Sequence, residues 1–110
     1  MPLFMLKKKY FELYASGRKT VELRAVKPQW KNCKPGDVAV LQSGKRVLRR
    51  KVKRIYRGSL AKIFLKCDYR KILPDAESVL EAVQTIKELY PTSKQFMAFE
   101  LGKTARAQFI

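Results

Sequence analysis

The chain has 110 residues, with 25 Lys plus Arg against 9 Asp plus Glu and no His, for a formal charge of +16. A chain of this length forms one domain and buries about two-thirds of its unfolded surface, and at 46% hydrophobic residues it folds rather than remaining a disordered polycation. The absence of His excludes imidazole acid–base chemistry, imidazole metal sites and Ser–His or Cys–His nucleophile pairs.

In chain order, residues 3–6 read as a short apolar strand. Residues 8–16 place Tyr10, Phe11, Leu13 and Tyr14 at helical spacing and stop at Gly17, a residue suited to a left-handed cap. Residues 20–25 alternate, with Val21, Leu23 and Ala25 on a face expected to point to the core, and Thr20, Glu22 and Arg24 on the other. Lys34-Pro35-Gly36-Asp37 is a type II turn signal. The strand that follows, residues 37–42, is apolar on both faces and therefore central, and Ser43-Gly44 turns the chain into a basic stretch. There, Leu48, Val52 and Tyr56 share a face with Arg50 and Arg54, while Val47 and Ile55 share the other with Arg49, Lys51 and Lys53. Cations on both faces mean either a bulge that switches faces midway or a face opening onto an anion-binding cleft.

Residues 59–65 form a short helix capped by Ser59, with Leu60, Ile63 and Phe64 facing inward. A longer helix is expected over residues 75–90: Ser78 and Glu81 stand at capping-box spacing, Val79, Val83, Ile86 and Tyr90 form a core stripe, and Pro91 ends it. Residues 96–101 make a final buried strand. The whole is one domain, residues 1–110, with its core at residues 3–101 and a tail at residues 102–110 to which no order is assigned. Strands and helices mix without a βαβ rhythm, so the class is α+β with a mainly antiparallel, barrel-like sheet.

Residues 1–71 carry 21 Lys/Arg and 4 acids, net +17, whereas residues 72–110 carry 4 and 5, net −1. The densest run, residues 45–57, has eight cations and no acid. Such one-sided charge attracts phosphate backbones, although a solvated, solubilising surface has the same composition. Cys33 and Cys67 lie 34 positions apart without a CxxC, so no metal site, cofactor or redox pair is expected. The apolar opening precedes Lys7, Lys8 and Lys9, the reverse of a signal peptide, and is too short to span a bilayer. A cytoplasmic protein without membrane contact, monomeric by default, is the expectation.

The polar residues of Gly17-Arg18-Lys19-Thr20-Val21-Glu22-Leu23-Arg24 make the most informative local group. Gly17 turns the backbone, Lys19 stands at the mouth of the strand, and Glu22 and Arg24 emerge two residues apart on one face. They offer an ammonium for phosphate or carbonyl oxygens, a carboxylate for base N–H groups and a guanidinium that forks onto phosphate. The same pair also reads as an ordinary ion pair on an exposed strand face.

The pattern Gly17-x-Lys19-x-x-Glu22-x-Arg24 resembles the GxKxxExR signature of the ASCH domains of the PUA-like superfamily. The likeness extends over residues 3–101. It includes the helix at Lys9-Tyr10-Phe11-Glu12-Leu13, Trp30 ahead of Pro35-Gly36-Asp37, Ile72-Leu73-Pro74, Tyr90, and Phe96-Met97-Ala98-Phe99-Glu100-Leu101. The resemblance implies a small β-barrel with flanking helices and a cleft suited to RNA or a modified nucleotide, lined by Lys19, Glu22 and Arg24.

Three functions are then open. In an RNA-binding module, the basic strand would hold phosphates through Arg50 and Arg54. Gly17, Arg18, Lys19, Glu22 and Arg24 would form the cleft, and Trp30 and Tyr56 would be available for stacking, although a lone Trp beside a turn more often anchors a core or lid. An enzyme acting on RNA or a modified nucleoside, as in relatives that hydrolyse N4-acetylcytidine or are associated with RNA cleavage, would use Lys19 and Glu22 with the Thr20 hydroxyl. In this chain Glu22 replaces the hydroxyl that those hydrolases carry three residues after the Lys. A non-enzymatic adaptor would bind an acidic protein or a ribosomal surface.

Overall fold

A computed structural model of the chain describes residues 2–102; the predicted tail from residue 103 onward lies outside them. Five strands, β1 (Leu3–Met5), β2 (Val21–Ala25), β3 (Val38–Ser43), β4 (Arg46–Gly58) and β5 (Phe96–Leu101), form one sheet in the order β1-β3-β4-β5-β2. Only the β1–β3 pair is parallel. The sheet curls into a half-barrel with β1 and β2 as its two edges. Among the described residues four α-helices accompany it, α1 (Lys8–Ala15), α2 (Leu60–Lys66), α3 (Tyr69–Ile72) and α4 (Val79–Leu89), with a 3-10 turn at Pro28–Trp30.

Side-chain alternation sorts the core into two clusters on opposite faces of the sheet. Phe96 and Ala98 of β5 join Val21, Leu23 and Ala25 of β2 under α2, α3 and α4, through Leu60, Ile63, Ile72 and Ile86. Met97, Phe99 and Leu101 face the concave side, where they meet Phe4, Tyr14, Trp30, Ala39, Leu41 and Val52. β5 is thus apolar on both faces because both are covered; β2 is covered on both faces too, but its second face is polar, carrying Glu22 and Arg24.

Local signals act as read. Gly36 takes φ +98 in the turn before β3, where the Asp37 amide donates to the Lys34 carbonyl at 3.1 Å. Gly44 takes φ +59 in the hairpin to β4. The Ser59 hydroxyl accepts from the Lys62 amide at the start of α2. β3 is central, between β1 and β4, though Val38 on its outer face is exposed.

The mixed faces of the basic strand are resolved by a bulge at Lys53: Val52 pairs with Leu101 and Arg54 with the next residue, Glu100. Before the bulge even-numbered residues face the concave core, and after it odd ones do, so Val52 and Ile55 pack in the same cluster. Two expectations need correction. The long helix begins at Val79 rather than Asp75, because the Ser78 hydroxyl caps it by accepting from the Glu81 amide at 3.1 Å. Its stripe is rotated accordingly: Ala82 and Ile86 are buried, while Val79 is 48% exposed. α3 was not foreseen; Asp68 caps it through a bond from the Arg70 amide.

Candidate functional site

Gly17 ends α1 at φ +81, and the chain doubles back so that the Lys19 amide reaches the Leu13 carbonyl at 3.0 Å. Lys19 is thereby carried inward to 5% exposure. Its Nζ donates to the carbonyls of Val21 at 2.8 Å and Ile72 at 2.5 Å. Thr20 turns its carbonyl toward β5, where it accepts from the Leu101 amide. The next carbonyl, Val21, therefore points to the free edge of β2, and Lys19 satisfies it together with the terminal carbonyl of α3.

Glu22 and Arg24 do not lie on an exposed face. They point to the concave side, opposite Val21 and Leu23, and Glu22 is also 5% exposed. One carboxylate oxygen accepts from the Tyr14 hydroxyl at 2.5 Å and the other from Arg24 Nε at 2.6 Å. Arg24 also donates through Nη2 to the Met5 carbonyl at 2.9 Å and lies over the Phe4 ring, 5.2 Å from its centroid. One guanidinium thus bridges the two edges of the half-barrel, β2 and β1. The reading of this pair as a solvated surface contact is overturned, because α1 and β1 cover the polar face of β2.

A cavity of about 190 Å³ lies over this edge, between the start of α1 and the C-terminal end of α4. Lys19, Glu22 and Arg24 line it with Lys7, Tyr10 and Tyr90. Burial lowers the Lys19 pKa from 10.5 to about 8; Glu22 opposes the shift and Arg24 adds to it. Burial raises the Tyr14 hydroxyl well above its ordinary value, and the adjoining Glu22 raises it further. Tyr90 is raised as well, mainly by burial.

Other predicted site residues lie elsewhere. Arg18 is exposed and pairs with Asp75 at 2.8 Å. Thr20 is buried and does not line the cavity; its amide donates to the Lys71 carbonyl. Trp30, 4% exposed, packs against Phe4 and Phe99 at ring-centroid distances of 4.9 and 6.0 Å, so it is a core residue with no face to offer a base. Arg50 is buried on the concave face of β4, its guanidinium donating to the Arg49 carbonyl; burial lowers its pKa, and it is not a surface phosphate ligand. Arg54 is exposed on the helix-bearing side opposite Glu100, and Tyr56 packs against that cluster.

The sequence reading missed Tyr10 and Tyr14 as site residues. Their signal was an i, i+4 aromatic pair one turn ahead of Gly17; the Lys19 ammonium lies 5.9 and 5.2 Å from their ring centroids. Among the described residues no group of three or more His, Cys, Asp or Glu gathers as for a metal, and no helix is long and apolar enough to cross a membrane.

A mixed half-barrel bearing a charged cleft at its edge is a small α+β architecture. The chain has the ASCH fold. No family model matches the sequence, and no curated protein does. Solved structures do. The hypothetical protein PH0355 shares 29% identity, with a TM-score of 0.77 over 92% of this chain and 97% of that one. Protein PF0455 from Pyrococcus furiosus shares 26%, with a TM-score of 0.67 over 91% and 94%. The ASCH protein from Zymomonas mobilis shares 18% identity and the fold, with a TM-score of 0.68 over 91% of this chain and 65% of that one.

Proposed function

We propose that the chain is an RNA-binding module in which one base or modified nucleotide enters the cleft at Lys19, Glu22 and Arg24. Cations on α1 and on the outer face of β4 take the flanking phosphates. The observation that carries this reading is a lysine and a glutamate, both nearly buried, held at the wall of a cavity. Among the described residues, their bonds leave Lys19 one N–H and Glu22 two lone-pair sites for a ligand. A cavity of 190 Å³ lies below the range of about 300–1,000 Å³ that suits drug-sized ligands, and matches a single planar ring system. Outside it, Arg49 and Lys51 are exposed on the outer face of β4 opposite Val40 and Val38.

Titration of RNA at several salt concentrations tests the reading. Log K against log salt is expected to slope by about −0.7 per neutralised single-strand phosphate, and Arg49→Ala or Lys51→Ala each to flatten it by about that amount. Glu22→Gln is expected to change the preference among nucleotides instead. A flat salt response, or identical behaviour of the two variant classes, refutes the proposal.

Catalysis on RNA or a modified nucleoside is a second reading, favoured by Lys19 itself. An amine of pKa about 8 beside a cavity is a competent general base or nucleophile near neutral pH. Turnover of labelled RNA or N4-acetylcytidine that is lost in Lys19→Met with RNA binding retained would establish it. Absence of turnover across a nucleoside panel would remove it.

A further inference from the structure

A second cavity, of about 140 Å³, adjoins the first. Tyr10 and Leu73 line both. Tyr10 is therefore a partition, with the Lys19 ammonium 5.9 Å from its ring centroid and the Lys9 ammonium at 5.1 Å. Lys7 lines the first cavity and Lys9 the second. The wall of the second is apolar where Tyr10, Leu13, Leu73 and Pro74 meet, and acidic at Asp75 and Glu81. Asp75 already serves Arg18; the Glu81 carboxylate has no partner among the hydrogen bonds and ion pairs of the described residues.

Resting on the reading of the first cavity as a nucleotide site, we propose that the second cavity is a subsite for the adjacent nucleotide, so that the ligand is an RNA segment of at least two residues. The neighbouring base stacks on Tyr10 and the apolar wall, where a π-face of any base is accepted. Glu81, an exposed acceptor with no protein donor among the described residues, favours bases with an amino group, adenine, cytosine or guanine, over uracil, whose one ring N–H is flanked by two carbonyl oxygens that repel the carboxylate. Two carboxylates repel phosphate, which places the connecting phosphate away from them, over the start of α1 between Lys7 of the first cavity and Lys9 of the second. The two-site arrangement also gives a role to the three consecutive lysines, Lys7 at the N-cap and Lys8 and Lys9 in the first turn of α1, that precede its buried residues Phe11, Leu13 and Tyr14.

The test uses the full chain and a panel of the four nucleoside 5′-monophosphates and the sixteen dinucleoside monophosphates, with binding followed by tyrosine fluorescence and calorimetry. At least one dinucleoside monophosphate is expected to bind about tenfold more tightly than the better of its two mononucleotides, with uracil disfavoured at one position. Ala76→Trp, which fills the second cavity, is expected to abolish that gain and leave mononucleotide affinity intact. Glu81→Gln keeps the backbone cap made with Ser78 and is expected to erase the discrimination against uracil. Mononucleotides that bind as tightly as every dinucleotide overturn the second subsite and leave the first standing. Absence of binding by any probe overturns both.

Discussion

Replacing Lys19 with Met removes an ammonium that the fold holds almost out of water, and the consequence is a pH dependence of known sign. In the unfolded chain this amine has the ordinary pKa of 10.5, and in the folded chain about 8. Between those values the unfolded state binds the extra proton, so stability rises with pH. Below pH 8 the folded state carries the whole cost of the buried charge, about 3 kcal/mol, and above pH 8 that cost is relieved at up to about 1.4 kcal/mol per pH unit. From pH 7 to 9.5 the relief amounts to about 2 kcal/mol. Met fills a similar volume without titrating. It also leaves the Val21 and Ile72 carbonyls without their donor, a fixed loss of about 1–3 kcal/mol per unpaired buried group. Urea unfolding followed by far-UV circular dichroism, for both proteins at half-unit pH steps, isolates the slope from that offset. The difference also cancels the half-buried Cys33 thiol and the buried Cys67 thiol, whose raised pKa values make stability fall with pH in both proteins. Wild type is expected to gain on Lys19→Met as pH rises. A pH-independent gap, or one moving the other way, refutes the claim that Lys19 is held as a desolvated cation.

Other perturbations address the frame of the site. Arg24→Ala leaves Glu22 without its guanidinium and cuts the tether to Met5; a loss of about 2–3 kcal/mol is expected in urea, below the fully buried case because Arg24 is partly exposed. Hydrogen exchange in β1 is expected to quicken in that variant, and unchanged protection there would show that the tether does not hold the strand. Gly17→Ala is expected to cost about 1–2 kcal/mol by thermal or urea unfolding, from backbone conformation alone, since no atom stands within 4 Å of an added Cβ. A neutral effect would refute the left-handed cap. Deleting Lys53 is expected to leave a cooperatively unfolding protein, because Val52 and Ile55 keep the concave face. Deleting Lys51 moves Val52 out and Lys53 in, and the cooperative transition is expected to be lost. The reverse pattern in the two deletions would refute the bulge.

Much of the fold was legible because its causes are local. The alternation of residues 20–25, the Pro35-Gly36 turn, the Ser59 and Ser78 caps and the left-handed Gly17 each act within a few residues, and each appears where the sequence places it. Mixed cations on one strand implied a bulge or a cleft, and the register supplied the bulge. The start of α4 was overextended because acidic residues before Ser78 resemble a first turn, whereas the cap itself decides where the amides are satisfied. α3, four residues long, has no periodicity to detect.

The site shows the division most clearly. Sequence by itself grouped Gly17, Lys19, Glu22 and Arg24, confined the excess charge to residues 1–71, and excluded histidine chemistry, because composition and spacing are properties of the chain alone. It was silent on whether the polar face of β2 meets water. That depends on α1, β1 and the edge of a sheet whose neighbouring strands come from distant parts of the chain, and a strand's alternation carries no record of what packs on its second face. Tertiary structure alone buried Lys19 and Glu22, withdrew Trp30 and Arg50 from the surface, and brought Tyr10 between two cavities.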